Sequence, residues 1–142
     1  MATKSYLYQK TIEHLLTSAS SWEDANVFAQ LLNNNYVFQA SHSTRAEVAT
    51  RVVGSPIAVT NKSLAVSPTA TSLSFDALDF SAQGAPSARW VVLGYWDGTT
   101  TSSTDELLVC IDLNFGASAD VVVNAPVQLA STGLVRFPYP SA

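Results

Sequence analysis

This sequence is short of charge. Only 13% of its 142 residues are Asp, Glu, Lys or Arg, about half the roughly 25% usual in soluble domains. Ser, Thr, Ala and Asn fill the gap. Uncharged polar groups are cheaper to desolvate than ions, so such a surface favours packing against other proteins. Seven cations against eleven acids, for a formal net charge of −4, leave no basic face. That excludes nucleic acid as a partner, because binding it requires clustered cations that displace counterions from phosphates. A polybasic membrane anchor is excluded for the same reason. No apolar run approaches the roughly 20 residues of a membrane span. The opening MATKSYLYQK has no apolar core of a signal peptide, so we expect a protein made in the cytoplasm.

Reactive groups are scarce too. The one cysteine, Cys110, permits no intramolecular disulfide, and within LLVCIDL it reads as a small buried hydrophobe. Six glycines include no GxGxxG or P-loop spacing, so there is no phosphate cradle. His14 and His42 are the two histidines. With no HExxH, CxxC or HxH spacing around them, neither a metal nor any other cofactor is expected. No GxSxG occurs. His42 adjoins Ser43, but neighbouring side chains seldom meet in the geometry that a nucleophile and its base need. Asp76 and Asp79, three apart, would point to opposite faces of a strand, which disfavours paired-carboxylate hydrolysis. Asp97, Asp105 and Glu106 read as solvating a loop tip, with calcium held between loops as the other reading. No enzymatic activity is expected.

What is present is mostly β pattern. KSYLYQKTIEHLLT, residues 4–17, reads as an N-terminal amphipathic helix with Tyr8, Ile12, Leu15 and Leu16 on one stripe. NVFAQLLNN, PIAVTNKSLAV, SLSFDALDF, ADVVVNAPVQLA and GLVRFPYP then read as short strands separated by turn formers. In SLSFDALDF, Leu73, Phe75, Ala77 and Asp79 would share one face and Asp76, Leu78 and Phe80 the other. The clearest pair is Arg89–Trp96 with Glu106–Leu113, an antiparallel hairpin around a loop that opens Asp97-Gly98. One helix followed by many short strands indicates a mainly β fold: an antiparallel β-sandwich, with a jelly roll as one form of it, preceded by the helix. A single domain over 1–142 is expected, with the sandwich over about 26–138.

Two features remain open at this level. Trp22, Trp90, Trp96, Tyr36, Tyr95 and Tyr139 could stack on sugars, or serve a core or a subunit interface. The stretch NYVFQASHSTRAEV, Asn35 to Val48, mixes a histidine with hydroxyls, an arginine and a glutamate. It reads as a corner: Asn33-Asn34-Asn35 turns the chain, and Ser41, Ser43 and Thr44 cap backbone groups and open a short helix through Ala46–Val48. In this reading His42 is a hydrogen-bonding strut rather than a base.

The order of motifs carries a resemblance. YQKTIEHLL, NNNYVFQASHSTRAEV, VTNKSL, LSFDALDFSA, RWVVLGYWDGTTTSSTDELLVCIDL and GLVRFPYP, over about residues 6–138, resemble a family of small virion proteins encoded among the head and tail genes of tailed bacteriophages. ADVVVNAPVQLAS departs from it by lacking the expected Asn-Gly-Gly turn. The resemblance implies a structural role without catalytic residues. It does not fix the place in the particle; the leading expectation, which a lightly charged β-sandwich with an N-terminal helix suits, is a capsid cement or decoration protein on the virion surface, made in the host cytoplasm. Its implied partners are the major capsid protein or other virion proteins, and its own copies in a homo-oligomer, with a trimer as the expected form. The expected contact residues are Tyr6, Tyr8, Asp97, Thr100, Phe137 and Tyr139. The alternatives are a neck, tail or fibre-attachment component, or a carbohydrate-binding adhesion module, with a hydrolase last.

Overall fold

The structure, a computed structural model, describes residues 4–17, 22–66, 68, 70–96, 103–114, 117–127 and 135–138. It is mainly β and antiparallel. In chain order the elements are β1 (Lys4–Leu7), α1 (Thr11–Thr17), β2 (Val27–Leu32), β3 (Val52–Ala58), β4 (Ser63–Val66), β5 (Ala70–Ser74), β6 (Ser87–Ala88), β7 (Trp90–Tyr95), β8 (Leu107–Asp112), β9 (Val121–Val122) and β10 (Val135–Pro138). Single 3-10 turns lie at Arg45–Glu47, Ala49–Arg51 and Ser81–Gln83. A five-stranded sheet runs β1-β8-β7-β2-β3, a three-stranded sheet β10-β5-β4, and β6 pairs with β9.

The large sheet is built on its three central strands. VFAQLL, WVVLGY and LLVCID are apolar on both faces, as continuous rather than alternating runs demand. Val27, Ala29, Leu31, Val91, Leu93, Val109 and Ile111 pack against Leu78, Phe80, Val123 and Val127 on one side. Phe28, Leu32, Trp90, Val92 and Cys110 pack against Tyr8, Tyr36 and Val48 on the other. On this second face the cover therefore comes from Tyr8 and from the corner that follows β2, which has no regular strand of its own.

The β7–β8 hairpin stands where the sequence placed it, in antiparallel register from Trp90↔Asp112 to Leu93↔Val109. A shift between Leu93 and Gly94 breaks the ladder. A Cβ on Gly94 would lie 2.4 Å from the Glu106 carbonyl oxygen and 2.7 Å from the Phe28 ring, so the bulge admits no side chain there.

The expected helix over 4–17 is corrected at its start. Lys4–Leu7 is a strand paired with β8, from Lys4↔Asp112 to Leu7↔Val109, and the helix is confined to Thr11–Thr17. A long-range ladder outcompetes a local helical stripe because it buries Leu7 and Tyr6 against the two opposite cores. Ile12 and Leu16, expected on the buried face, are exposed. PIAVTNKSLAV is likewise not one strand: it breaks between Ala58 and Ser63, where Asn61 adopts a left-handed φ of 51°. SLSFDALDF leaves the ladder after Ser74, and the face expected to hold Asp76, Leu78 and Phe80 is corrected: Leu78 and Phe80 are buried but Asp76 is exposed, so alternation holds only over Leu78–Asp79–Phe80, once the chain has left the strand.

Candidate functional site

The corner after β2 is where polar chemistry concentrates. Asn33 starts it: its side-chain oxygen accepts from the Asn35 N–H at 3.0 Å and its carbonyl from the Tyr36 N–H at 3.1 Å. Tyr36 turns inward, and its carbonyl accepts the Trp90 indole N–H at 3.2 Å. Its hydroxyl lies 3.0 Å from the Tyr8 hydroxyl and 2.9 Å from His42 Nδ1. The three side chains thus form a chain from the surface to the Cys110 thiol beneath Tyr8. Burial pushes the Tyr36 hydroxyl up to about 12. Burial first, then the neighbouring Cys110 and Tyr36, lift Tyr8 far above the ordinary tyrosine range. Burial lifts the Cys110 thiol as well. All three groups are therefore protonated at neutral pH, so neither a phenolate nor a thiolate nucleophile forms here. His42 acts as the expected strut.

Beyond His42 the corner closes with a capping arrangement. The Glu47 carboxylate accepts the backbone N–H groups of Thr44, at 2.9 Å, and of Ser43. Slight burial acts upward on Glu47, but those two N–H groups and nearby His42 outweigh it and hold the carboxyl below the usual glutamate range. The turn is zipped to the strand that follows the hairpin loop. Arg45 N–H donates to the Asp105 carbonyl at 2.8 Å, Ala46 N–H to Ser103 at 3.0 Å, and Leu107 N–H to Ser43 at 3.0 Å.

Arg45 is the charged centre of this region and is only 4% exposed. Its guanidinium carbon sits 4.0 Å from the Phe28 ring centroid. Nη1 donates to Asp105 Oδ2 at 3.1 Å, while Nη2 is sealed from solvent with no hydrogen-bond partner among the described residues. Arg45 borders a cleft of about 410 Å³ between the corner and β3. The far wall is a β-bulge, where the β2–β3 register shifts between Ala29 and Leu31. Gln30 fills the bulge: its Nε2 donates to Val53 O at 3.0 Å, Leu31 O at 3.2 Å and Gly54 O at 3.3 Å. From outside, Gln83 clamps Ser55 like a one-residue strand, accepting its N–H at 3.1 Å and donating to its carbonyl at 2.7 Å. Gly54 has a φ of 67°, and a Cβ there would lie 2.0 Å from Gln83 Oε1.

Of the residues expected to make contacts, Tyr8 is 2% exposed and bonded inward, so it offers no surface. Tyr6 is half-buried, its ring centroid 5.1 Å from that of Phe38. Phe137 lies on β10 opposite Thr71. Asp97, Thr100 and Tyr139 lie outside the described residues. The sequence reading missed Arg45, Gln30 and Gly54. Two signals were available: Thr44-x-x-Glu47 has capping-box spacing, and Gly54-Ser55-Pro56 inside a β-branched run marks a bulge. Among the described residues no three of His, Cys, Asp and Glu are grouped to hold a metal ion, and no helix is long and apolar enough to cross a membrane.

No protein-family model, no curated protein and no solved structure matches this chain.

Proposed function

We propose that this chain is a structural subunit of a tailed-bacteriophage virion, a cement protein on the capsid surface that bridges major capsid subunits. In this reading it works as a homo-oligomer, a trimer, with no catalysis and no cofactor, and its sheets are the layers of a jelly-roll-like sandwich. The order of sequence motifs over about residues 6–138 supports the family. The observation that carries the assembly role is the apolar rim of the small sheet. β4 is an edge strand, and Leu64 and Val66, on one face of it, are 48% and 71% exposed. Exposed apolar residues on a strand edge invite association, and a protein keeps them where a neighbour covers them. On α1, Ile12 and Leu16 are also exposed, one turn apart. The low charge lets such contacts form without desolvating ions. A stable contact needs roughly 1,200–2,000 Å² of buried surface, and repetition over a shell multiplies weaker ones.

Sugar stacking is the weaker reading. Trp22 and Trp90 are buried, Trp22 donating to the Ser63 carbonyl at 3.1 Å. Trp96 packs against the Phe28–Tyr8 cluster. Quantitative mass spectrometry of purified particles tests the proposal. A copy number comparable with the major capsid protein is expected. A single ring's worth of copies would instead place the chain at the neck, tail or fibre attachment, and absence from the particle would overturn the virion reading altogether.

A further inference from the structure

We infer that the edge of β3 pairs with the β3 of a second copy of this chain, antiparallel across a two-fold axis at Ser55, and that Gln83 holds this edge closed in the single copy. The contact goes beyond the virion reading, does not depend on it and is separate from the β4 rim. β3 is the last strand of the five-stranded sheet. Its sequence, VVGSPIA, has none of the charges that guard many natural sheet edges. At Ser55 the edge is nonetheless occupied. Gln83 Oε1 accepts the Ser55 N–H at 3.1 Å and Nε2 donates to the Ser55 carbonyl at 2.7 Å. An acceptor and a donor facing one residue are what the opposite residue supplies in a hydrogen-bonded antiparallel pair. The Gln83 carboxamide therefore stands where a further strand would add, and it shows the chemistry of the occupant: a peptide backbone.

The spacing of the outward groups selects which backbone. The Arg51 carbonyl accepts the Asn33 N–H and the Val59 N–H donates to the Val27 carbonyl, so both residues turn to β2. Two positions further in, Val53 and Ile57, opposite Leu31 and Ala29, turn to β2 as well. Direction alternates along a ladder, so Val52 and Ala58 present their N–H and C=O groups outward. The bulge between Val53 and Ile57 turns Ser55 outward too, while the Gly54 carbonyl faces Gln30. The outward groups thus fall at residues 52, 55 and 58. A regular strand offers them at every second residue and does not match. A second β3 does. With Ser55 opposite Ser55, Val52 of each copy falls opposite Ala58 of the other, and the bulge of one meets the same bulge of its mate. Such a self-complementary patch is what a two-fold contact requires. Pro56, which has no N–H, falls opposite Gly54 of the second copy, where no ladder bond is made. Val52 and Ala58 are exposed and apolar, so pairing them also removes apolar surface from water.

The test is sedimentation of the full chain over a concentration series, with Leu64→Ser and Val66→Ser present throughout so that the β4 rim does not contribute. Gln83→Ala removes the competitor for Ser55 and should dimerise at least about tenfold more tightly than its parent. Ser55 is exposed, and changing its side chain leaves its backbone groups in place. Added to Gln83→Ala, either Ser55→Lys or Ser55→Glu sets like charges directly opposite each other across the axis, and each should return the chain to monomer. An equimolar mixture of the two should dimerise again, because the charges are then opposite in sign. Should Gln83→Ala fail to fold, the same two Ser55 variants in the chain that keeps Gln83 decide: their mixture must associate more tightly than either alone. No gain from Gln83→Ala, a dimer indifferent to Ser55→Lys, or a mixture no tighter than its components would overturn the inference. Open-ended aggregates in place of a dimer would overturn it too, since a two-fold contact closes on itself.

Discussion

The two larger sheets handle their surfaces in opposite ways. In the five-stranded sheet, β2 and β8 are buried along their whole length, because layers cover both faces. In the three-stranded sheet, β4 keeps Leu64 and Val66 in solvent, tied down at its edge by Glu23, which accepts the Leu64 N–H at 3.0 Å, and by Trp22. The difference separates stability from association. Burial on both faces makes the large sheet the source of the folding free energy. Exposed apolar positions on the small sheet contribute little to the isolated chain and remain available to a neighbour.

The largest effect should come from the centre of the large sheet. Leu93, fully buried between Ala29 and Val109, is expected to cost about 2–5 kcal/mol on replacement by alanine, since the surrounding strands cannot collapse onto the cavity. Urea unfolding at an unchanged m-value measures it. A loss below that of a surface substitution would mean that the two layers do not clamp this sheet. Gly94→Ala should follow at about 1–3 kcal/mol, because its Cβ meets the Glu106 carbonyl, a backbone atom that cannot swing aside.

Tyr36→Phe comes next. It removes the hydroxyl that bonds both Tyr8 and His42, leaving the Tyr8 hydroxyl buried beside Cys110. About 1–3 kcal/mol is expected from unfolding measurements. Tyr8→Phe combined with Tyr36→Phe should recover part of that loss, because no buried hydroxyl then lacks its partner. Failure to recover would mean that Tyr8 is satisfied elsewhere.

How much of this was legible follows from where each signal resides. The β7–β8 hairpin was readable because WVVLGY and LLVCID are continuous apolar runs around an Asp-Gly opening, all local information. The corner was readable as a corner because Asn33-Asn34-Asn35 and the hydroxyls at 41–44 are local turn chemistry. Lys4–Leu7 was misread because its partner, β8, lies about a hundred residues away, and Tyr8, Ile12 and Leu16 happen to keep helical spacing. The Arg45 cleft was not readable as a site. Its walls, Gln30, Arg45, Gly54 and Ser103, come from four separate segments, and only the fold reveals that one guanidinium nitrogen lacks an acceptor among the described residues.

Glu47 offers a smaller, pH-dependent contrast. Its folded pKa lies below the ordinary 4.5, so near that pH the unfolded chain binds more protons and stability rises with pH. The contribution is complete above the unfolded value and fades as pH falls through the folded one. Glu47→Gln should cost about 0.5–1 kcal/mol at neutral pH, in the range of a lost cap, and the difference from wild type should shrink towards pH 3. The carboxylate is largely solvated, which keeps the effect small. A difference that grows on acidification would mean that the carboxylate does not hold the corner.

Least of all should the isolated chain notice the rim. Leu64→Ser with Val66→Ser removes apolar groups that are already in water, so the unfolding midpoint of the monomer should move by no more than about 0.5 kcal/mol in free-energy terms. Self-association, followed by sedimentation over a concentration series, should fall at the same time. The pairing of those two results matters more than either alone. Lost stability with unchanged association would show that the rim belongs to the core of the small sheet, and the contrast between the sheets would vanish. Unchanged stability with lost association would assign folding to one sheet and assembly to the other.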